Sequence, residues 1–280
     1  MRIQSLIVWV SLLFLNNYAL AQKTNFNREQ VIIKAGALID RGNSRKATLV
    51  LDKLIKNGLS GTEEIQVKIL TARSWHENGK RVQAIQQLQD LLTSPVIRLP
   101  QNIDLRTEAY LQLAECYFGM YSLEKFKNVS DTVLQISRQV KLPSYYKARA
   151  YNNIARYYNY HTLVQKTKPF LDSAISLFQL ATRAEKQQYH PLAILTASIN
   201  YYRNSDINKL FCCIDSAKNL LLNGYQGEIY DQIYLWRAIG NSYFDRARLP
   251  EKQKNRQWYN RVESSFNKSI FYFRNILSRK

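Results

Sequence analysis

A small residue that returns every 37 to 43 residues constrains this chain more than any other feature. Ala35, Ala72, Ala114, Ala155, Ser198 and Gly240 each sit inside an apolar run, at steps of 37, 42, 41, 43 and 42. Around each, apolar side chains recur three and four positions apart, the spacing that gives a helix one sticky face. Turn-forming groups interrupt the runs at Arg41-Gly42-Asn43, Asn57-Gly58, Asn78-Gly79, Pro95 to Pro100, Leu142-Pro143, His190-Pro191, Gly224 to Gly227 and Leu249-Pro250. Only 9 Gly and 6 Pro occur in 280 residues, and no alternating run of β-branched residues is sustained. The pattern predicts helices of about 13 to 20 residues joined by short turns, paired into hairpins. One such hairpin cannot bury its apolar face, but stacked neighbours bury a continuous core.

Each hairpin has a recognisable pair of faces. In the first, Ala35 and Leu38 precede Ala47, Leu51 and Leu54; in the second, Ala72 and Trp75 precede Ala84, Leu88 and Leu91, so that the two small residues stand twelve apart both times. The third has Tyr110, Leu113, Ala114 and Tyr117, then Phe126 and Val133. The fourth has Tyr151, Ile154, Ala155 and Tyr158, then Ala174, Phe178 and Ala181 after what reads as a longer loop. The fifth has Ser198 and Tyr201, then Leu210, Ile214 and Ala217; the sixth has Trp236, Ile239, Gly240 and Tyr243, then Val262 and Phe266. The sixth carries Trp236-Arg-Ala-Ile-Gly-Asn-Ser-Tyr243.

That stretch resembles the tetratricopeptide (TPR) family, whose first helix has W-x2-L-G-x2-Y and whose second has A-x3-F. The resemblance runs over residues 27 to 277 and implies an all-α fold, a right-handed α-solenoid of about six TPR-like hairpins. It also implies that Gly240 marks a close crossing of two helices, since glycine inside a helix costs about 0.5–1 kcal/mol against alanine and needs a reason. The steps exceed the family's 34-residue repeat, so helices or links are longer than its pattern.

The N-terminus has its own logic. Arg2 is followed by an apolar run from Leu6 to Leu15, broken by Ser11, and then by Ala19-Leu20-Ala21. This is the order of a secretory signal peptide, with a core shorter than the roughly 20 residues of a membrane span. The expected division is a signal peptide over 1–21 and a TPR-like domain over 22–280, exported to the periplasm or beyond. Lys and Arg number 40 against 21 Asp and Glu, a net +19 that attracts acidic partners and permits peripheral contact with anionic envelope surfaces. Cys116, Cys212 and Cys213 are too few for a disulfide framework and are expected to pack as small apolar residues.

Chemistry is hard to find. His76, His161 and His190 are scattered, and no H-E-x-x-H, G-x-S-x-G, phosphate-cradling glycine loop, C-x-x-C or EF-hand pattern occurs. Asp172-Ser173 and Asp215-Ser216 read as solvated helix faces. No enzyme activity, metal or cofactor is expected.

The informative stretch is 132–171, which holds no Asp or Glu but seven cations: Arg138, Lys141, Lys147, Arg149, Arg156, Lys166 and Lys168. Tyrosines are interleaved, yet most fall at packing positions of the repeat, so nucleic acid is not the expected partner. Arg149, Asn152, Arg156 and Asn159 lie at three- and four-residue spacing, and Arg237 and Asn241 match them in the sixth hairpin. The family resemblance implies that this face of the first helix lines a concave groove. There the arginines would hold carboxylates of a protein or peptide partner and the asparagines its backbone. The alternatives are a solvated basic face or, by resemblance to exported arrays of the Bacteroidetes type, the regulatory or targeting half of a CHAT-type peptidase or sensor-kinase system.

Overall fold

The computed structural model describes residues 28–59 and 61–182 continuously, together with ten single helical positions between 193 and 267. The expected signal segment, Gly240, Arg237 and Asn241 lie outside the described residues. Helical residues 28–40 (α1) are followed by α2 (Ser44–Lys56), α3 (Gly61–Glu77), α4 (Arg81–Thr93), α5 (Ile103–Gly119), α6 (Leu123–Gln139), α7 (Ser144–Tyr160) and α8 (Val164–Gln179). No strand occurs among the described residues, and no described helix is long and apolar enough to cross a membrane.

The hairpins α1/α2, α3/α4, α5/α6 and α7/α8 turn in one way. In the second, the Gly79 amide donates to the His76 carbonyl at 3.0 Å and the Lys80 amide to the Trp75 carbonyl at 2.8 Å. This pair of bonds ends a helix by placing one residue in the left-handed region. The same pair recurs from Gly42 and Asn43, from Tyr121 and Ser122, and from Thr162 and Leu163. The left-handed residues are Gly42, Gly79, Tyr121 and Thr162, at steps of 37, 42 and 41, identical to the steps between Ala35, Ala72, Ala114 and Ala155.

Those four alanines are fully buried. Twelve residues after each comes its counterpart on the second helix, Ala47, Ala84, Phe126 and Thr167, all with no exposed surface. The fourth hairpin therefore has no longer loop, contrary to the sequence expectation. Thr167 takes the crossing position, and Ala174 and Phe178, also fully buried, lie further along α8 and pack against the buried Ala148 and Ala193.

The extra length lies elsewhere. Two 3₁₀ turns, Val96–Arg98 and Pro100–Asn102, join α4 to α5, and α6 has 17 residues where α2 and α4 have 13.

Helices pack mainly on their neighbours and next-but-one neighbours. One core gathers Ile69, Ala72, Leu88, Leu113, Ala114 and Phe126 from hairpins two and three; another joins Leu111, Val133, Tyr146 and Ile154 from hairpins three and four. Ala155 and Leu171 meet Ala197, so the stack continues beyond hairpin four. The result is an all-α solenoid of repeated hairpins.

Glycine marks a close approach at Gly119, near the end of α5. A Cβ there would stand 2.8 Å from His76 Cε1 and 2.9 Å from Arg81 Nε, both on hairpin two.

Candidate interaction face

The first helices α1, α3, α5 and α7 place a row of charged side chains side by side. Arg149 Nη1 on α7 donates to Glu108 Oε2 on α5 at 2.5 Å, and Arg156 Nη1 donates to Glu115 Oε1 at 2.6 Å. Each pair spans 41 residues, the same as the step from Ala114 to Ala155. Glu108 and Glu115 are seven apart, as are Arg149 and Arg156, so two parallel helices present matched rungs two helical turns apart. Arg73 on α3 meets Asp40 on α1 at 2.6 Å over a span of 33, one helical turn short of the local step of 37.

The row is electrostatically continuous. Burial alone would push the Glu108 carboxyl up, but the charge and hydrogen bond of Arg149 outweigh it, helped by the Gln112 amide at 2.8 Å and the charge of Arg73. The carboxyl is held below its usual value. Arg156 lies over the Phe118 ring at 4.0 Å and also reaches Asn153 Oδ1 at 3.3 Å. Guanidinium planes favour such stacking because the ring face is negative.

The acid-free stretch is thus not short of acids in space. Its two central arginines are partnered from the preceding hairpin, and their side chains are only 10% and 14% exposed. The stripe expected to face an open groove is largely buried between first helices. Asn152 is 2% exposed, and its Oδ1 accepts no hydrogen bond among the described residues. Asn159 donates from Nδ2 to the Thr196 carbonyl at 3.0 Å, reaching the next hairpin. Arg149, Asn152, Arg156 and Asn159 do share one face of α7, but much of that face joins repeat to repeat.

Glu108, Glu115, Arg73 and Asp40 were missed by reading residues along one helix at a time. The signal that finds them is the repeat step itself: opposite charges one step apart meet when first helices lie parallel.

Other expected sites also find their places. Lys166 and Lys168 are exposed, Lys168 paired with Asp172, and Ser173 donates to the Pro169 carbonyl at 2.8 Å. Cys116 is buried and its thiol pushed up to about 12, by burial first and then by Glu115 and Glu77. Cys213 packs beside Ala155 and Leu171, whereas Cys212 is exposed, which corrects its expected packing role. Among the described residues no group of His, Cys, Asp and Glu is arranged to hold a metal.

Comparison with known structures decides the architecture. A structure described as BtubC (BKLC) from P. vanneervenii superposes with a TM-score of 0.55 at 16% identity, covering 89% of this chain and 92% of that one. A Podosopora anserina putative kinesin light chain of nearly identical TPR-like repeats gives 0.50 at 14% identity, over 69% and 93%. Rap protein complexed with Competence and Sporulation Factor gives 0.61 at 14% identity, over 91% of this chain and 65% of Rap.

The fold is of the tetratricopeptide type.

At these identities the likeness is one of fold alone. No family model matches the sequence, and no curated protein does. In a TPR-type solenoid the residue lined up with Arg156 in the preceding repeat is Glu115, and that alignment is what the ion pairs report.

Proposed function

We propose that the chain is a non-enzymatic interaction scaffold, working outside the cytoplasm, that holds a protein or peptide partner along its first-helix face. The observation that carries this reading is the row Glu108, Arg149, Glu115 and Arg156. It puts charge-assisted donors of fixed geometry on adjoining repeats, beside the amides of Asn152 and Asn159. The export part rests on the signal-like order of residues 1–21. The Rap protein, solved with Competence and Sporulation Factor, supports the reading by fold only.

Acidic groups on the partner would exchange with a resident carboxylate rather than enter an empty clamp. Glu115 is the one to exchange. Its side chain is 29% exposed against 20% for Glu108, and Arg156 spends one nitrogen, Nη1, on both Glu115 and Asn153. The test is selection of displayed peptides on immobilised wild-type protein, Glu115→Gln and Arg156→Ala. Acidic peptides should be selected by wild type, bind more tightly to Glu115→Gln, and lose about tenfold or more on Arg156→Ala, the worth of a charge-assisted hydrogen bond. Arg237 and Asn241 would extend the same row in hairpin six. Selection without acidic preference, or unchanged by Arg156→Ala in protein of wild-type helicity, sinks the reading.

A further inference from the structure

All four turns lie along one edge of the solenoid. Ser74, near the end of α3, donates to the Ser44 carbonyl at 2.6 Å, tying turn one to hairpin two. Gly119 abuts His76 and Arg81, tying turn three to turn two. The Tyr121 and Tyr160 rings are 6.2 Å apart, tying turn three to turn four.

That edge is basic beyond Asp40 and Glu77, the last residues of α1 and α3. The four turns with the first turns of their second helices, residues 41–47, 78–84, 120–126 and 161–167, carry seven cations: Arg41, Arg45, Lys46, Lys80, Arg81, Lys125 and Lys166. They carry one acid, Glu124, whose Oε1 accepts the Tyr157 hydroxyl at 2.5 Å. The first turns of α2, α4 and α8 hold no acidic residue; on the opposite edge those of α3 and α5 hold Glu63, Glu64 and Asp104, and that of α7 holds none. Each turn joins the negative end of one helix dipole to the positive end of the next, so the dipoles largely cancel and side-chain charge sets the potential.

Among these cations stand large apolar side chains in the open: Val82 at 67% exposure, Tyr121 at 74%, Tyr160 at 49%, with Met120 and Leu163 also exposed. Tyr121 holds its position at φ 55°, a left-handed conformation that turns one and two assign to glycine. For a bulky residue such a conformation is strained, and strain of this kind collects at functional sites.

We propose that this edge docks onto an anionic lipid surface, with the lysines against headgroups and Val82, Met120, Tyr121, Tyr160 and Leu163 in the headgroup–acyl boundary. Charge complementarity selects an anionic partner. The apolar tips select a lipid one, because a purely ionic partner gives exposed Tyr, Leu and Met side chains no reason to project among cations. Tyrosine suits such a boundary, having an apolar ring and a polar end, and basic clusters are drawn to anionic lipid within a Debye length.

Co-sedimentation with vesicles tests it, using the full chain and, in parallel, the chain from Gln22, so that the apolar N-terminal segment is controlled. Both should bind vesicles containing phosphatidylglycerol and not vesicles of phosphatidylcholine alone, with binding weakened by salt. The triple change Lys80→Glu, Lys125→Glu, Lys166→Glu should lower the partition at least about tenfold, each lysine being worth about fivefold near such a surface. The pair Tyr121→Ser, Leu163→Ser should lower it while leaving the salt dependence in place. Reversing three exposed cations on the opposite edge, Lys56→Glu, Arg98→Glu, Lys141→Glu, makes the same change in net charge and should lower binding far less. Three results overturn the proposal: no binding to the anionic vesicles, equal loss from the two edges, or equally tight binding to soluble polyglutamate with no effect of the apolar pair.

Discussion

At the scale of single residues, Arg149, Arg156 and Asn159, expected to be available, turn out to be engaged. Arg149 and Arg156 were legible as a stripe because three- and four-residue spacing fixes a helix face. What that face meets depends on the register of α5 against α7, which no local pattern carries. Glu108 shows the consequence. Its pKa is lowered in the fold, so its contribution to stability is complete above about pH 4.5, its usual value, and is lost as pH falls through the lowered one. Wild type should therefore lose thermal stability as pH drops below about 4.5, and Glu108→Gln should lose less over the same range. At neutral pH, Glu108→Gln should already cost about 3 kcal/mol, because removing one member of a mostly buried pair strands the other charge. Thermal melts of both proteins across acid pH check both statements.

Individual elements were legible where punctuation was explicit. Gly42 and Gly79 announce their turns because only glycine enters the left-handed region freely. Tyr121 and Thr162 make the same turn without that signal; the fourth hairpin reads as having a longer loop because its A-x3-F pattern, Ala174 and Phe178, lies beyond the crossing position held by Thr167. The crossing positions were half legible for a related reason. Ala47 and Ala84 look small, but Phe126 and Thr167 fill the same slot, fully buried, where the neighbouring helices leave more or less room. Close crossing at glycine is testable at Gly119. Gly119→Leu should destabilise by about 1–3 kcal/mol, the usual penalty for overpacking, despite leucine's better helix propensity. A denaturant midpoint equal to wild type would mean that His76 and Arg81 step aside at no cost.

At the scale of the whole molecule, each hairpin rests on its neighbours, so a defect should spread by contact rather than melt the stack at once. Phe126→Ala removes a fully buried ring from the core shared by hairpins two and three and should cost about 3–5 kcal/mol. Native-state hydrogen exchange should show protection lost first in α5 and α6, next in α4 and α7, and least in α2. Uniform loss across all helices would indicate a single cooperative unit. The matched rungs between α5 and α7 bear on which changes in gene length the fold can absorb. Residues added to the link at 140–143 fall outside both helices, so they can bulge into solvent with Glu108 still facing Arg149 and Glu115 still facing Arg156. One codon inserted between Glu108 and Glu115 rotates everything beyond it by about 100°, and only one of the two pairs can then be kept. Drift in length is thus confined to the joints, and the helices are held to whole numbers of turns.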